Sequence, residues 1–285
     1  MSKTGSFATT PDRHGSPATL TLYLHAFWGL LLRDFRVLQR ELGPFTVRVI
    51  MNPLLFLFVF TYIFPRIGQS FGSSSGAGGM NFGTVLLPGL MAVAIMFTGI
   101  AAVALPLSTE FGITREIEDR VMCPLPVAGV AIEKICFSAM QSVLSALIVF
   151  PLAYFIPSEP VHVHVSSYWL LGSVVLLASL VSGALGLTIG TTVEPRQIGL
   201  IFSVVVVPIT FLGCVYYPWA LLRHIPWLQY AVLLNPIVYM SEGLRAALTP
   251  ALPHMPARLI LGALILSVLI LGWAGIRGFL RRVIG

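Results

Sequence analysis

The stretch that decides the fold is Glu110–Lys134, EFGITREIEDRVMCPLPVAGVAIEK. It carries Glu110, Arg115, Glu116, Glu118, Asp119, Arg120, Glu133 and Lys134, eight residues from a chain that has only 17 basic and 11 acidic ones in all. Long apolar runs flank it on both sides. A charge at the centre of a bilayer costs about 2.5–3.5 kcal/mol on insertion scales. Eight together therefore predict a water-facing loop joining two membrane spans.

Working outward, the remainder is largely apolar. Hydrophobic residues make up 56% of the 285 and charged residues 10%, against about 25% charged in soluble domains. Mean hydropathy is +0.90. The formal charge of +6 does not point to nucleic acid, because the basic residues are scattered between apolar runs rather than clustered on a soluble face. In membrane proteins basic residues set orientation instead. The three cysteines, Cys123, Cys136 and Cys214, form no CxxC pair and no disulfide framework. Cys136 and Cys214 read as small core residues.

Upstream, residues 1–18 read as a disordered cytoplasmic tail, with the first span serving as insertion signal. Residues 19–285 form a single transmembrane domain. Over Leu20–Leu42, Leu24, Phe27, Trp28, Leu31, Phe35, Leu38 and Leu42 recur at helical spacing while Arg33, Asp34, Arg36 and Arg40 punctuate the other faces. That pattern predicts an amphipathic helix lying in the membrane surface. Spans are expected at about 46–64, 83–107, 135–156, 168–191, 198–217 and 259–276, each near the length that about 30 Å of hydrocarbon requires. Pro53 predicts an early kink in the first. Ser182, Gly186 and Gly190 make a small-residue row for close helix packing in the fourth.

The loop over 109–134 holds a further expectation: a short helix over 114–122 with Thr114 as N-cap, stopped by Pro124 and Pro126. His162 and His164 lack companion ligands, so a polar loop is the reading there rather than a metal site. Residues 217–257 mix Trp219, Trp227, Tyr230 and Tyr239 with six prolines. Their apolar pieces are too short to span, which predicts interfacial or re-entrant helices. Placing the N-terminus inside puts 13 basic residues inside and four outside. The asymmetry predicts six spans with both termini cytoplasmic.

Catalytic patterns are missing from the sequence. It has no HExxH, no GxSxG and no GxxxxGK[ST]. Ionisable residues deep in the spans, as proton- or sodium-coupled carriers use, are scarce. Energy for transport would then enter from a partner at the cytoplasmic loop.

Three blocks carry a family resemblance: Arg33-Asp34 on the surface helix; Thr114-Arg115-Glu116-Ile117-Glu118-Asp119-Arg120 with Pro124-Leu125-Pro126; and Tyr217-Pro218, Ile225-Pro226-Trp227, Leu234-Asn235-Pro236-Ile237-Val238-Tyr239 with Gly243-Leu244-Arg245. From Leu24 to Arg282 the chain resembles the permease of an ABC-2 type ABC exporter, in the branch of daunorubicin-type and nodulation-factor exporters. The resemblance implies an all-α, six-span membrane protein in the cell (inner) membrane, paired with a second permease as homodimer or heterodimer and with a separate ATPase subunit. ATP and Mg would be bound by that ATPase, leaving this chain without cofactor or catalytic residue. Arg115, Glu116, Glu118, Asp119 and Arg120 would couple to the ATPase, with Arg33, Asp34 and Arg36 close by. Asn235, Pro236, Glu242 and Arg245 would shape the outer gate, where a Glu242–Arg245 pair at i, i+3 is also a structural clasp. The implied cargo is hydrophobic, drug-like or lipid-linked. A polysaccharide or lipooligosaccharide exporter, or a non-transport scaffold, is the alternative.

Overall fold

Apolar side chains all round a helix call for burial on all sides, and Phe82–Thr109 is buried along most of its length, with Leu105, Pro106 and Thr109 exposed near its end. The computed structural model describes residues 17–63, 66, 82–114, 125–155 and 164–284. Among these every regular element is a helix. α1 spans Pro17–Arg40, and α2 spans Leu42–Leu57 and passes into a π-helical stretch, Phe58–Ile63. α3 (Phe82–Thr109) is likewise prolonged by a π-helical stretch, Glu110–Thr114. α4 covers Val127–Phe155 and α5 covers Tyr168–Thr192. The 195–211 segment is pieced together from a 3₁₀ turn (Pro195–Gln197), α6 (Ile198–Ile201), a π-helical stretch (Phe202–Val206) and α7 (Val207–Phe211). After a 3₁₀ turn at Trp219–His224 come α8 (Pro226–Ala231), another 3₁₀ turn (Val232–Leu234), α9 (Pro236–Leu248) and α10 (Ala257–Ile284).

Among the described residues four helices are long and apolar enough to cross a membrane: Gly83–Gly112, Val127–Leu152, Tyr168–Thr192 and Ala257–Val283. Leu42–Phe56 and Pro195–Phe211 are apolar but shorter. Leu86, Leu87, Leu90, Ile95, Met96, Ile100 and Leu107 of α3 are all buried. Close approaches fix the directions of the helices around it. Gly186 sits against the Ile100 backbone and Gly190 against Ala104, so α5 runs parallel to α3. Gly275 meets Leu187 and Gly278 meets Thr191, so α10 runs parallel to α5. The Ser138 hydroxyl donates to the Gly99 carbonyl at 3.0 Å while Lys134 reaches Glu110, so α4 runs antiparallel to α3. The small-residue row Ser182, Gly186, Gly190 thus does the packing expected of it, letting α5 and α3 touch backbone to side chain.

The 195–211 segment is broken because Val204 to Val207 crowd the helix and Pro208 removes a donor. Its ends are nonetheless far apart. Pro195 packs on Gly112, while Val215, just beyond it, packs on Gly89. On one helix those two glycines are about 34 Å apart at 1.5 Å per residue.

Several expected boundaries move. α4 begins at Val127 rather than 135, because the Pro126 carbonyl already accepts from the Gly129 and Val130 N–H groups. α10 runs on to Ile284 and takes Arg277, Arg281 and Arg282 into its final turns. Pro53 lies inside α2. Thr114 is the last residue of the π-helical stretch; the short helix expected beyond it lies outside the described residues, as does the tail expected over 1–18 up to residue 16, while Pro17 and Ala18 belong to α1 instead.

Candidate functional site

Two buried ion pairs stand at opposite ends of the bundle. The first belongs to α9. Asn235 starts that helix: its side-chain oxygen accepts from the Ile237 N–H at 3.1 Å, and Pro236 occupies the first helical position, where a missing N–H costs nothing. The Asn235 amide also donates to the Ile209 carbonyl at 2.6 Å, tying α9 to the end of α7. Past Pro236, every residue of α9 except Tyr239 is buried. Its last carbonyls, orphaned as at any helix end, are met by a returning strand of backbone. His164 N–H donates to Leu248 O at 3.0 Å, and Ser166 N–H to Ala247 O at 2.9 Å.

Within α9, Glu242 and Arg245 are each 0% exposed and form an ion pair. The Glu242 carboxylate also accepts from the Trp219 N–H at 2.9 Å and the Met255 N–H at 3.0 Å. Arg245 donates to the Cys214 carbonyl at 3.2 Å. Cys214 has φ of 51°, a left-handed conformation unusual for a residue with a side chain, and the Ser241 hydroxyl holds the adjacent Gly213 carbonyl at 2.8 Å. A buried pair is tolerated when both charges are also hydrogen-bonded; both are here, although the Arg245 Nε has no hydrogen-bond partner among the described residues. The clasp expected between Glu242 and Arg245 is present; its backbone partners had no signature in the sequence. Trp219 and Tyr239 are structural too, donating to the Gln229 and Leu233 carbonyls at 3.1 and 2.8 Å. Trp227 and Tyr230, by contrast, are 72% and 71% exposed.

The second pair corrects an expectation. Glu110 and Lys134 were expected in a water-facing loop, yet they are 5% and 6% exposed, and Glu133 is 0% exposed. The Lys134 ammonium lies 2.9 Å from both Glu110 oxygens. The cause is the early start of α4, which carries Glu133 and Lys134 into its second turn, opposite the π-helical end of α3. The pair thereby pins together the two stems of the loop between α3 and α4. Arg282 strengthens the same end. Its guanidinium donates to the Gly190, Thr191 and Val193 carbonyls at the C-terminus of α5 and lies over the Phe111 ring, the favourable place for a cation on a helix.

α1 packs here as well. Leu30 is buried in one cluster with Val103, Leu107, Leu125 and Phe279. Of the expected inward stripe, Phe27, Leu31, Phe35 and Leu38 face the bundle, whereas Leu24, Trp28 and Leu42 are exposed. Arg33 and Arg36 are exposed and Asp34 is half-buried. Arg115, Glu116, Glu118, Asp119 and Arg120 lie outside the described residues. Among the described residues, no group of three or more His, Cys, Asp and Glu side chains could hold a metal ion.

Comparison with known proteins fits this architecture. The chain is 27% identical over 228 residues to the inner membrane transport permease YadH of Escherichia coli (strain K12), covering 78% of this chain and 84% of the relative. YadH proteins of Escherichia coli O157:H7 and Shigella flexneri match to the same extent. The sequence profile of the ABC-2 type transporter matches residues 25–249, most of the chain. An apolar helical bundle with this match is a membrane transport permease, and the chain belongs to the ABC-2 type transporter family.

Proposed function

We propose that this chain is the permease subunit of an ATP-driven exporter, with six spans, both termini cytoplasmic, and a separate ATPase docking on the loop between α3 and α4. ABC-2 permeases generally work as dimers with an ATPase subunit, and the relative's name supports an inner-membrane setting. The observation that carries the coupling reading is the Glu110–Lys134 pair. A push on the loop enters α3 and α4 together, because their ends are fastened by a buried ion pair. α1 shares that end, as a surface helix beside an ATPase would.

Six spans are supported by the reach of the 195–211 segment, whose flanks lie about as far apart as the roughly 30 Å hydrocarbon core is thick. The inside-basic orientation is supported by Lys134 and Arg282 lying at one end of the bundle. In this reading α8 and α9 are the re-entrant helices of the outer mouth, with Asn235, Pro236, Glu242 and Arg245 fixing its shape. Cargo is hydrophobic, drug-like or lipid-linked. A polysaccharide or lipooligosaccharide cargo is favoured only by the exposed rings of Trp227 and Tyr230, which also suit a membrane interface.

The test is a pull-down of the solubilised protein from its native membrane, with ATPase activity measured on what co-purifies. The proposal expects an ATPase that is lost when Glu116 and Glu118 are both changed to Lys. A protein that comes out alone in several mild detergents, or an ATPase indifferent to the charge reversal, refutes the coupling reading.

A further inference from the structure

A cavity of about 260 Å³ opens between α2, α3, α4 and the 195–211 segment. Its walls are apolar: Phe45, Val49, Pro53, Val93, Phe97 and Phe202 are among them. Three polar side chains interrupt these walls, Arg48 from α2, Thr98 from α3 and Gln141 from α4. None of the three side chains hydrogen-bonds or ion-pairs with any described residue. On α3 the lining runs from Val93 to Leu105, about 18 Å along the axis, so the cavity is elongated along the bundle.

The buried cations Lys134 and Arg245 have partners in Glu110 and Glu242, whereas Arg48 is an exposed cation on the cavity wall. It stands on that long apolar cavity without a partner among the described residues. A cation beside hydrocarbon calls for an anion or a route to water, and an apolar pocket with a few convergent polar groups is the usual form of a ligand site. We propose that this cavity binds an amphipathic anion, its alkyl chain lying between Phe97, Val93 and Phe202 and its carboxylate or phosphate on the Arg48 guanidinium, with Thr98 and Gln141 supplying further hydrogen bonds. The site needs only the membrane setting of the bundle and does not rest on ATP coupling. The anion is either a resident phospholipid or a cargo molecule; the chemistry at Arg48 is the same.

The experiment measures binding of radiolabelled palmitate to the purified full-length permease, without ATPase, in nanodiscs of phosphatidylcholine. Arg48→Gln should weaken binding on the order of tenfold, the scale of a charge-assisted hydrogen bond, and Arg48→Lys should restore much of it. Ala101→Phe fills the cavity and should abolish binding. Hexadecanol, which has the chain without the charge, should compete poorly. Arg48 is exposed, so its variants should keep the parent's melting temperature. Competition by phosphatidylglycerol identifies a resident lipid, and stimulation of the permease–ATPase complex by palmitate identifies a cargo; either supports the site. Unchanged palmitate binding in Arg48→Gln and Ala101→Phe overturns it, as does hexadecanol competing as well as palmitate. A Cys introduced at position 101 that cross-links two copies in the membrane also overturns it, because a second copy then fills the space. Failure here leaves the ATPase reading standing, since no ATPase enters the assay.

Discussion

Replacing Glu242 by Gln changes one heavy atom and should be among the most damaging substitutions in the molecule. The carboxylate is 0% exposed and accepts three N–H donors, from Trp219, Met255 and Arg245. In the amide one oxygen becomes an NH₂ group. Whichever way it turns, at least one donor faces another donor, and Arg245 keeps a charge with nothing to balance it. Removing one partner of a buried pair costs about 3–5 kcal/mol. Reversible unfolding in mixed detergent and SDS micelles, monitored by circular dichroism, reads that loss directly. A Glu242→Met, Arg245→Met double variant removes both charges and should recover a large part of it. A loss under about 1 kcal/mol for Glu242→Gln, or a double variant no better than the singles, would refute the idea that the charges are held chiefly by each other.

Lys134→Met should destabilise by about 3–5 kcal/mol, the scale of removing one partner of a buried pair, and should lower permease-dependent ATPase activity more than Arg36→Gln does; paired melting and ATPase measurements check both. Gly89→Ala should abolish folded protein on size-exclusion chromatography, because a Cβ there would lie 2.0 Å from the Val215 carbonyl oxygen. Gly262→Ala, with nothing within 4 Å, should be neutral or add up to about 1 kcal/mol of helix stability in the same unfolding assay. Arg282→Gln should raise hydrogen exchange at 190–195 without altering exchange in α9, since its three carbonyl partners lie at the end of α5.

What was legible in the sequence was local. Leu234-Asn235-Pro236 stood out in the sequence as a family block, and the helix start it makes, an Asn cap followed by Pro at the first position, acts within three residues. The i, i+3 spacing of Glu242 and Arg245 gives the pair away for the same reason, and Ser182, Gly186 and Gly190 show their face by period alone. Glu110 and Lys134 were misread because they are 24 residues apart and sit in a crowd of charges. Charge density says that a segment leaves the membrane, but not at which residue. The partners of Glu242 and Arg245 were illegible for a different reason. Two are backbone N–H groups and one is a carbonyl, and every residue but proline has both.

The satisfaction of α9 bears on how the protein is made. The groups that complete its polar network come from Ser166, Cys214, Trp219 and finally Met255. Synthesis from the N-terminus therefore delivers Glu242 and Arg245 before the last donor exists. Until Met255 and α10 arrive, the newest helix holds an incompletely bonded carboxylate in apolar surroundings. Ribosome-bound chains arrested just before Met255 should be cut by membrane proteases faster than chains arrested after α10, and equal lifetimes would show that α9 is already secure without its final partner. The last tenth of the chain would then act as a completion signal that separates finished subunits from those to be destroyed.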